Sequence, residues 1–416
     1  RSVIKASLAK INLFASDENK RLKAAKNILE NLEEQDKEII LEALKSEKKS
    51  SIKDILLEAN TNLNAKFLRG EEQLKAIEEL GGFLSSKSLE TLNSLKESND
   101  EKIKIAVTNA LKEIELSKTF YSFIETAFFG LSQGSVLLLA AIGLAITFGV
   151  MKVINMAHGE LIMIGAYTTY TIQQLMPNLI EYSIIIAIPA AFIVSGLVGI
   201  LIERLVIRHL YGRPLETLLA TFGISLILQQ VVRTIFSPLN QEVKTPSWMS
   251  GALEINGALS LTYNRLYVVI FFFFVFLAVL YVMKKTSLGL KVRAVSQNRP
   301  IARAMGIQSS KIDAITFGIG SGIAGVAGVA LSQLTNVGPN LGQAYIVDSF
   351  MVVVFGGVGN LWGTLIASFT LGEINKFIEP LAGAVLAKVI ILVFIILFIQ
   401  KRPRGLFPQK GRDAQD

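Results

Sequence analysis

The chain has 416 residues, 51% of them hydrophobic, a formal charge of +8 and no cysteine. The missing cysteine excludes disulfides and thiolate metal sites, and two histidines, His158 and His209, exclude a histidine-rich one. A mean hydropathy of +0.47 is more than a water-soluble protein usually sustains.

The charge is unevenly placed. Residues 1–118 hold 21 basic and 21 acidic side chains, and the remainder holds 21 and 13. The basic excess therefore belongs wholly to the apolar part, which points to membrane topology and away from nucleic acid. The sequence opens on Arg1 instead of Met, and a removed secretory signal is one origin of that start.

Residues 1–118 read as short amphipathic helices. Arg21–Leu32, Glu71–Leu80 and Glu101–Ile114 place apolar residues three and four apart among Lys and Glu. Three segments look alike: Asn19-Lys-Arg-Leu-Lys-Ala-Ala, Glu71-Glu-Gln-Leu-Lys-Ala-Ile and Asp100-Glu-Lys-Ile-Lys-Ile-Ala. Each reads as the opening of the second helix of a hairpin repeat, a HEAT-like arrangement. Their unequal offsets fit an irregular helical bundle as well.

From Phe123 onward, apolar stretches of about 20 residues recur, enough to cross a hydrocarbon layer of about 30 Å. Spans are predicted at 123–150, 159–176, 183–203, 215–236, 266–283, 312–334 and 384–400. Between the last two lies Gly342–Ile378, apolar and glycine-rich. It reads either as two short crossings or as one re-entrant hairpin around Gly356-Gly-Val-Gly-Asn-Leu-Trp-Gly363. The fold class is all-α: a polytopic helical membrane protein of about eight or nine membrane segments. A soluble helical domain is expected at 1–118, the membrane domain at 119–407 and a tail at 408–416.

Lys and Arg set the orientation. Lys284–Lys311 carries seven basic residues and no acidic one, Glu203–Arg213 three, Lys401–Arg412 five and the 151–158 turn one. If the spans alternate, these 16 share one side, assigned to the cytoplasm. The loop Ser237–Asn264 then faces out. An odd number of crossings puts the N-terminal domain outside, in the periplasm, and the tail inside.

Three motifs, in order, carry a resemblance. The first runs from Gly130-Leu-Ser-Gln-Gly-Ser through Ile154-Asn-Met-Ala-His-Gly-Glu-Leu-Ile-Met-Ile-Gly-Ala-Tyr167. The second is Arg293-Ala-Val-Ser-Gln-Asn-Arg-Pro-Ile-Ala-Arg-Ala-Met-Gly-Ile307, and the third Phe355-Gly-Gly-Val-Gly-Asn-Leu-Trp-Gly-Thr364. Together they resemble the branched-chain amino acid permease family of ABC transporters over roughly 120–407. The long N-terminal helical extension resembles the urea-transporter branch. The resemblance implies a multi-pass protein of the bacterial inner membrane that moves urea inward by alternating access. Its implied partners are a second permease subunit in a heterodimer, two cytoplasmic ATPase subunits and a periplasmic substrate-binding protein. It implies no cofactor on this chain, with ATP used by the partner subunits. The alternatives are a branched-chain amino acid ABC permease and a passive urea or water channel.

The basic loop Lys284–Lys311 is the first functional candidate. Ala294–Met305 is predicted to form a short helix despite Pro300, ended by Gly306 in a left-handed cap. Ala302-x-x-x-Gly306 resembles the coupling-helix motif of ABC permeases, whose small side chains would seat against an ATPase. Arg293, Ala294, Asn298, Arg299 and Arg303 complete the predicted contact, some of them binding membrane lipid headgroups instead. The plainer reading is a positive-inside loop without a partner.

Asn155, His158, Gly159 and Glu160 are the second candidate, expected at the cytoplasmic end. They either line the path at a break between half-helices or cap helix ends as a structural hinge. Gln133, Ser135, Thr221 and Ser225, isolated polar groups inside predicted spans, and Asp348 in the glycine-rich region complete the predicted pathway set. Gly318, Gly320, Gly322, Gly325 and Gly328 crowd one span and read as close-packing positions. Urea, small and neutral, needs no fixed counter-ion, whereas an amino acid needs fixed charge or helix termini. With few basic residues at membrane depth, Arg233 and Lys388 among them, the sequence leans to a neutral solute. No Gly-Lys-Ser/Thr phosphate loop and no plausible Ser-His-Asp grouping is present, so no enzymatic chemistry is expected.

Overall fold

The computed structural model describes residues 10–408; Arg1 and the tail beyond Pro408 lie outside the described residues. The chain forms two compact units, one of Arg1–Glu125 with Glu254–Ser260, the other of Thr126–Leu253 with Leu261–Asp416. The division falls a few residues beyond the change in composition at 118.

The first unit is built from α1 (Glu18–Glu30), α2 (Lys37–Ser46), α3 (Ser50–Phe67), α4 (Glu71–Leu80), α5 (Ser86–Leu95) and the start of α6 (Glu101–Met151). The three alike segments open α1, α4 and α6, separated first by two helices and then by one. Asp17 and Ser85 cap α1 and α5 by accepting from the Asn19 and Ser88 backbone N–H groups, at 2.9 and 3.1 Å. Two side-chain clusters fill the unit. Ile28, Ile40, Ile52, Leu56 and Leu63 anchor one, and Ile77, Leu80, Leu92, Val107 and Ile114 the other.

The second unit contains the rest of α6, then α7 (His158–Leu175), α8 (Ile180–Leu205), α9 (Pro214–Phe236) and α10 (Tyr263–Lys285). After these come α11 (Ser287–Gln297), α12 (Arg299–Ala304), α13 (Ser309–Ser332), α14 (Leu341–Gly356), α15 (Leu361–Ala382) and α16 (Ala384–Lys401). Each predicted span coincides with a helix. Six helices among the described residues are long and apolar enough to cross a membrane: α6, α8, α9, α10, α13 and α16. The protein is thus a polytopic helical membrane protein. The glycine-rich stretch resolves into two helices, α14 and α15. They join through Gly357 and Gly359, both at positive φ, and Asn360 caps α15 by accepting from the Trp362 and Gly363 N–H groups. The chain is not wholly helical. Strands β1 (Ala252–Asn256) and β2 (Leu259–Thr262) form a hairpin whose turn is closed by Asn256 Oδ1, which accepts from the N–H groups of Ala258 and Leu259.

In α6 and α13, 89% of the most apolar window is buried, against 17–33% in α8, α9, α10 and α16. α6 and α13 therefore form the centre of the second unit. α13 meets both α6 and α7 through backbone. A Cβ on Gly143 would collide with the Gly320 carbonyl, one on Gly165 with Gly325, and one on Gly328 with the Ile162 carbonyl. The helix ends sort into two sets. At one, Gln173 exchanges hydrogen bonds with the Lys244 backbone and Gln241 pairs with Val337. At the other, Lys284 lies over the Trp362 ring and Asn360 donates to the Phe407 carbonyl, within the cation-rich loops.

Candidate substrate path and coupling surface

Asn155, His158, Gly159 and Glu160 lie deeper than the sequence suggests. α6 ends at Met151, and 152–157 run on without helix before α7 starts at His158. The first turn of α7 then touches four helices well inside their cation-rich ends. His158 Nε2 is 2.9 Å from the Ala140 carbonyl of α6. The Leu161 carbonyl accepts from Ser195 of α8, Glu160 accepts from Ser225 of α9, and Gly320 of α13 packs on Gly143 beside the His158 ring. Each contact lies about ten residues from its helix end, roughly 15 Å at the α-helical rise. That is about half of a hydrocarbon core. The expected place at the cytoplasmic end is therefore corrected. The chain turns back after Met151, and the 18-residue α7 begins between its neighbours, about three turns from their ends.

A second helix begins at the same depth. A Cβ on Gly159 would collide with the Gly342 carbonyl, and one on Gly342 with the Gly159 carbonyl. Gly342 sits in the first turn of α14, so two helix N-termini converge, each with the positive end of its helix dipole.

Around this point the polar groups are organised. Asn155 Oδ1 accepts from the Ala157 N–H at 3.0 Å, turning the chain into α7. The Met156 N–H donates to Thr221 Oγ1 at 3.1 Å. Glu160 Oε1 accepts from Ser225 Oγ at 2.9 Å and Gln229 Nε2 at 2.8 Å. The side chains of Asn155, His158, Glu160, Thr221, Ser225 and Gln229 are buried, yet Asn155 Nδ2, His158 Nδ1 and Glu160 Oε2 have no hydrogen-bond partner among the described residues. So many unsatisfied polar atoms in one buried place mark a site for a polar guest.

Of the predicted pathway residues, Asn155, His158, Gly159, Glu160, Thr221 and Ser225 come together here. Ser135 bonds back to the Leu131 carbonyl of its own helix, and Gln133 is half-buried on α6. Asp348 is tied to Lys388 at 2.9 Å instead of joining the cluster. Sequence reading missed Gln229 and Gly342. Gln229 was legible: Thr217, Thr221, Ser225 and Gln229 recur every fourth residue along one side of α9, and all four are buried.

The coupling segment is two helices, not one from 294 to 305. Asn298 is extended and separates α11 from α12, where Pro300 occupies the first turn. Proline favours a helix start and disfavours a helical residue before it, so it begins α12 instead of interrupting a longer helix. Asn298 Oδ1 caps α12 by accepting from the Ile301 N–H at 3.0 Å. Gly306 ends it at φ +81°, and the Ile307 N–H reaches back to the Ala302 carbonyl. Arg293, Asn298, Arg303 and Gly306 are exposed and Ala294 half-buried. Ala302 faces inward at 4% exposure, so the outward surface of α12 is made by Ile301 and Met305 instead. Arg299 is not a free contact either. It holds Asp313 through two hydrogen bonds of 2.6 and 2.9 Å.

Residues 126–399 match the family described as branched-chain amino acid transport system / permease component. The chain is 30% identical over 302 residues to the high-affinity branched-chain amino acid transport permease LivH of Salmonella typhimurium, covering 97% of it with 70% of this chain. To BraD of Pseudomonas aeruginosa, of the same description, it is 29% identical over 297 residues, 96% of that protein and 69% of this chain. The ribose import permease RbsC of Escherichia coli is 27% identical over 291 residues, 86% of its length and 68% of this chain. No solved structure matches.

Proposed function

The chain belongs to the branched-chain amino acid transport permease family, and on that premise we propose that it is the membrane-spanning subunit of an ATP-driven importer of a branched-chain amino acid. Urea, expected from the N-terminal extension, finds no support among the relatives, and the alternative fits them better. The mid-depth break favours the same cargo. A zwitterion needs a positive and a negative receiver. Two converging helix N-termini suit its carboxylate, and Glu160 suits its ammonium. The convergence of Gly159 and Gly342 beside the unpartnered atoms of Asn155, His158 and Glu160 is the observation that carries this reading. The sequence offered a break between half-helices here as one of two readings and leaned to a neutral solute on the scarcity of basic residues.

Energy would come from two ATPase subunits gripping the exposed face of α12, with a second permease completing the pathway and an external binding protein delivering cargo. The cation-rich end is then cytoplasmic and the N-terminal helical unit external. Alternating access would open and close the path at the α7–α14 meeting point.

The test is uptake of labelled leucine by vesicles holding the complete complex and its binding protein. Leucine uptake that needs ATP and resists excess urea is expected. Glu160→Gln should lower it about tenfold or more, as loss of a charge-assisted hydrogen bond does. Urea uptake blocked by no amino acid would restore the urea reading, and flux without ATP would make the protein a channel.

A further inference from the structure

The exposed coupling helix α12 is only six residues long. Its inward face offers the core one small side chain, Ala302, so apolar packing holds it weakly. Polar side chains do the rest: Arg303 Nε donates to Ser309 Oγ at 2.7 Å, and a chain of four begins at Arg299. The Arg299 guanidinium forks onto Asp313, whose side chain is 1% exposed, and lies 5.0 Å from the centre of the Tyr211 ring. The Tyr211 hydroxyl donates to Glu203, which is fully buried, at 3.1 Å. Burial pushes that hydroxyl above its ordinary pKa, so it stays a neutral donor.

These four residues sit on different parts of the chain. Glu203 is at the end of α8, Tyr211 in the connection to α9, Arg299 at the start of α12 and Asp313 near the start of α13. α8 and α13 are the helices that bear on the first turns of α7: Ser195 donates to Leu161, and Gly325 and Gly328 press on Gly165 and Ile162. We propose that Arg299, through Asp313, Tyr211 and Glu203, is the positioning residue that transmits movement of α12 to α8 and α13, and so to α7. A buried carboxylate cannot release its guanidinium without a large cost, so the two move together. The contacts of α13 with α7 at Gly325 and Gly328 are backbone against glycine, a surface along which packed helices can shear. Arg299 would then matter for coupling and not for cargo binding. This rests on the ATP-driven reading above.

The experiment uses the complete complex in vesicles, measuring ATP hydrolysis and uptake of labelled leucine and labelled urea in parallel. Arg299→Lys keeps the charge and loses the fork. It should leave hydrolysis within about twofold while uptake per ATP falls about tenfold, an uncoupling of about 1.4 kcal/mol by the tenfold constant. Tyr211→Phe keeps the stacked ring and loses only the hydrogen bond to Glu203, so a smaller loss of uptake per ATP is expected. It also serves as the variant to read if Arg299→Lys fails to assemble. Uptake and hydrolysis falling in proportion, or uptake per ATP unchanged in both variants, overturns the proposal. If the unsubstituted complex moves cargo without ATP, the ATP-driven reading itself has failed. If it is coupled and both variants stay coupled, only the role of Arg299 has.

Discussion

The N-terminal helical unit and the membrane unit solve the same packing problem with opposite materials. In the first, helices meet through Ile, Leu and Val side chains gathered in two clusters. In the second, the central helices meet through glycine, with Gly143 on Gly320, Gly165 on Gly325 and Gly159 on Gly342. Water rewards the burial of large apolar side chains. Lipid does not, since its tails are as apolar as leucine, and close approach of backbones has to supply the attraction. The difference teaches that the word "buried" carries separate energetics in the two units.

Substitutions can break that contrast. The largest effect is expected at Gly165→Leu, whose side chain would have to enter the backbone of α13 at Gly325; no correctly assembled protein should reach the membrane, measured as the folded fraction after detergent extraction. Ile77→Ala, at a fully buried position, should destabilise the N-terminal unit by about 2–5 kcal/mol, read by hydrogen exchange across α4 while α13 stays protected. Gly306→Ala sharpens the comparison. A Cβ there meets nothing within 4 Å, so only its φ of +81° resists, and about 1 kcal/mol should be lost with assembly intact. The smallest effect concerns acid. Hydrogen bonding from Arg21 holds the Glu47 carboxyl below its ordinary value of 4.5. The pair therefore stabilises the folded unit fully above that value and loses its contribution as pH falls through the folded value. Glu47→Gln should flatten the acid limb of exchange in α1 and leave neutral stability slightly reduced.

Much of the membrane unit was legible, because long apolar runs report helices directly: every predicted span became one. The basic loop was legible in its position and in the Gly306 cap. Its division at Asn298 was readable too, had Pro300 been taken as a helix start and not an interruption. What escaped was depth. Strict alternation of spans places Asn155–Glu160 at a membrane surface, and only contacts distant in sequence, from His158 to Ala140 and from Gly159 to Gly342, show that the chain turns back inward. Sequence patterns report which face of a helix is apolar, not where along its neighbours it begins. The inward turn of Ala302 escaped for a related reason. A small residue suits a tight contact on either side of a helix, and nothing local says which.

The meeting of Gly159 and Gly342 also bears on how such a protein can change over generations. Every other amino acid has a carbon on Cα where glycine has only hydrogen, so neither position can drift alone or be repaired by a change in its opposite, which would need the same space. Variation in cargo would then have to arise from the ring around that point, Ser225 and Gln229 above all, where hydroxyl, amide and carboxylate groups can be exchanged without moving the backbone.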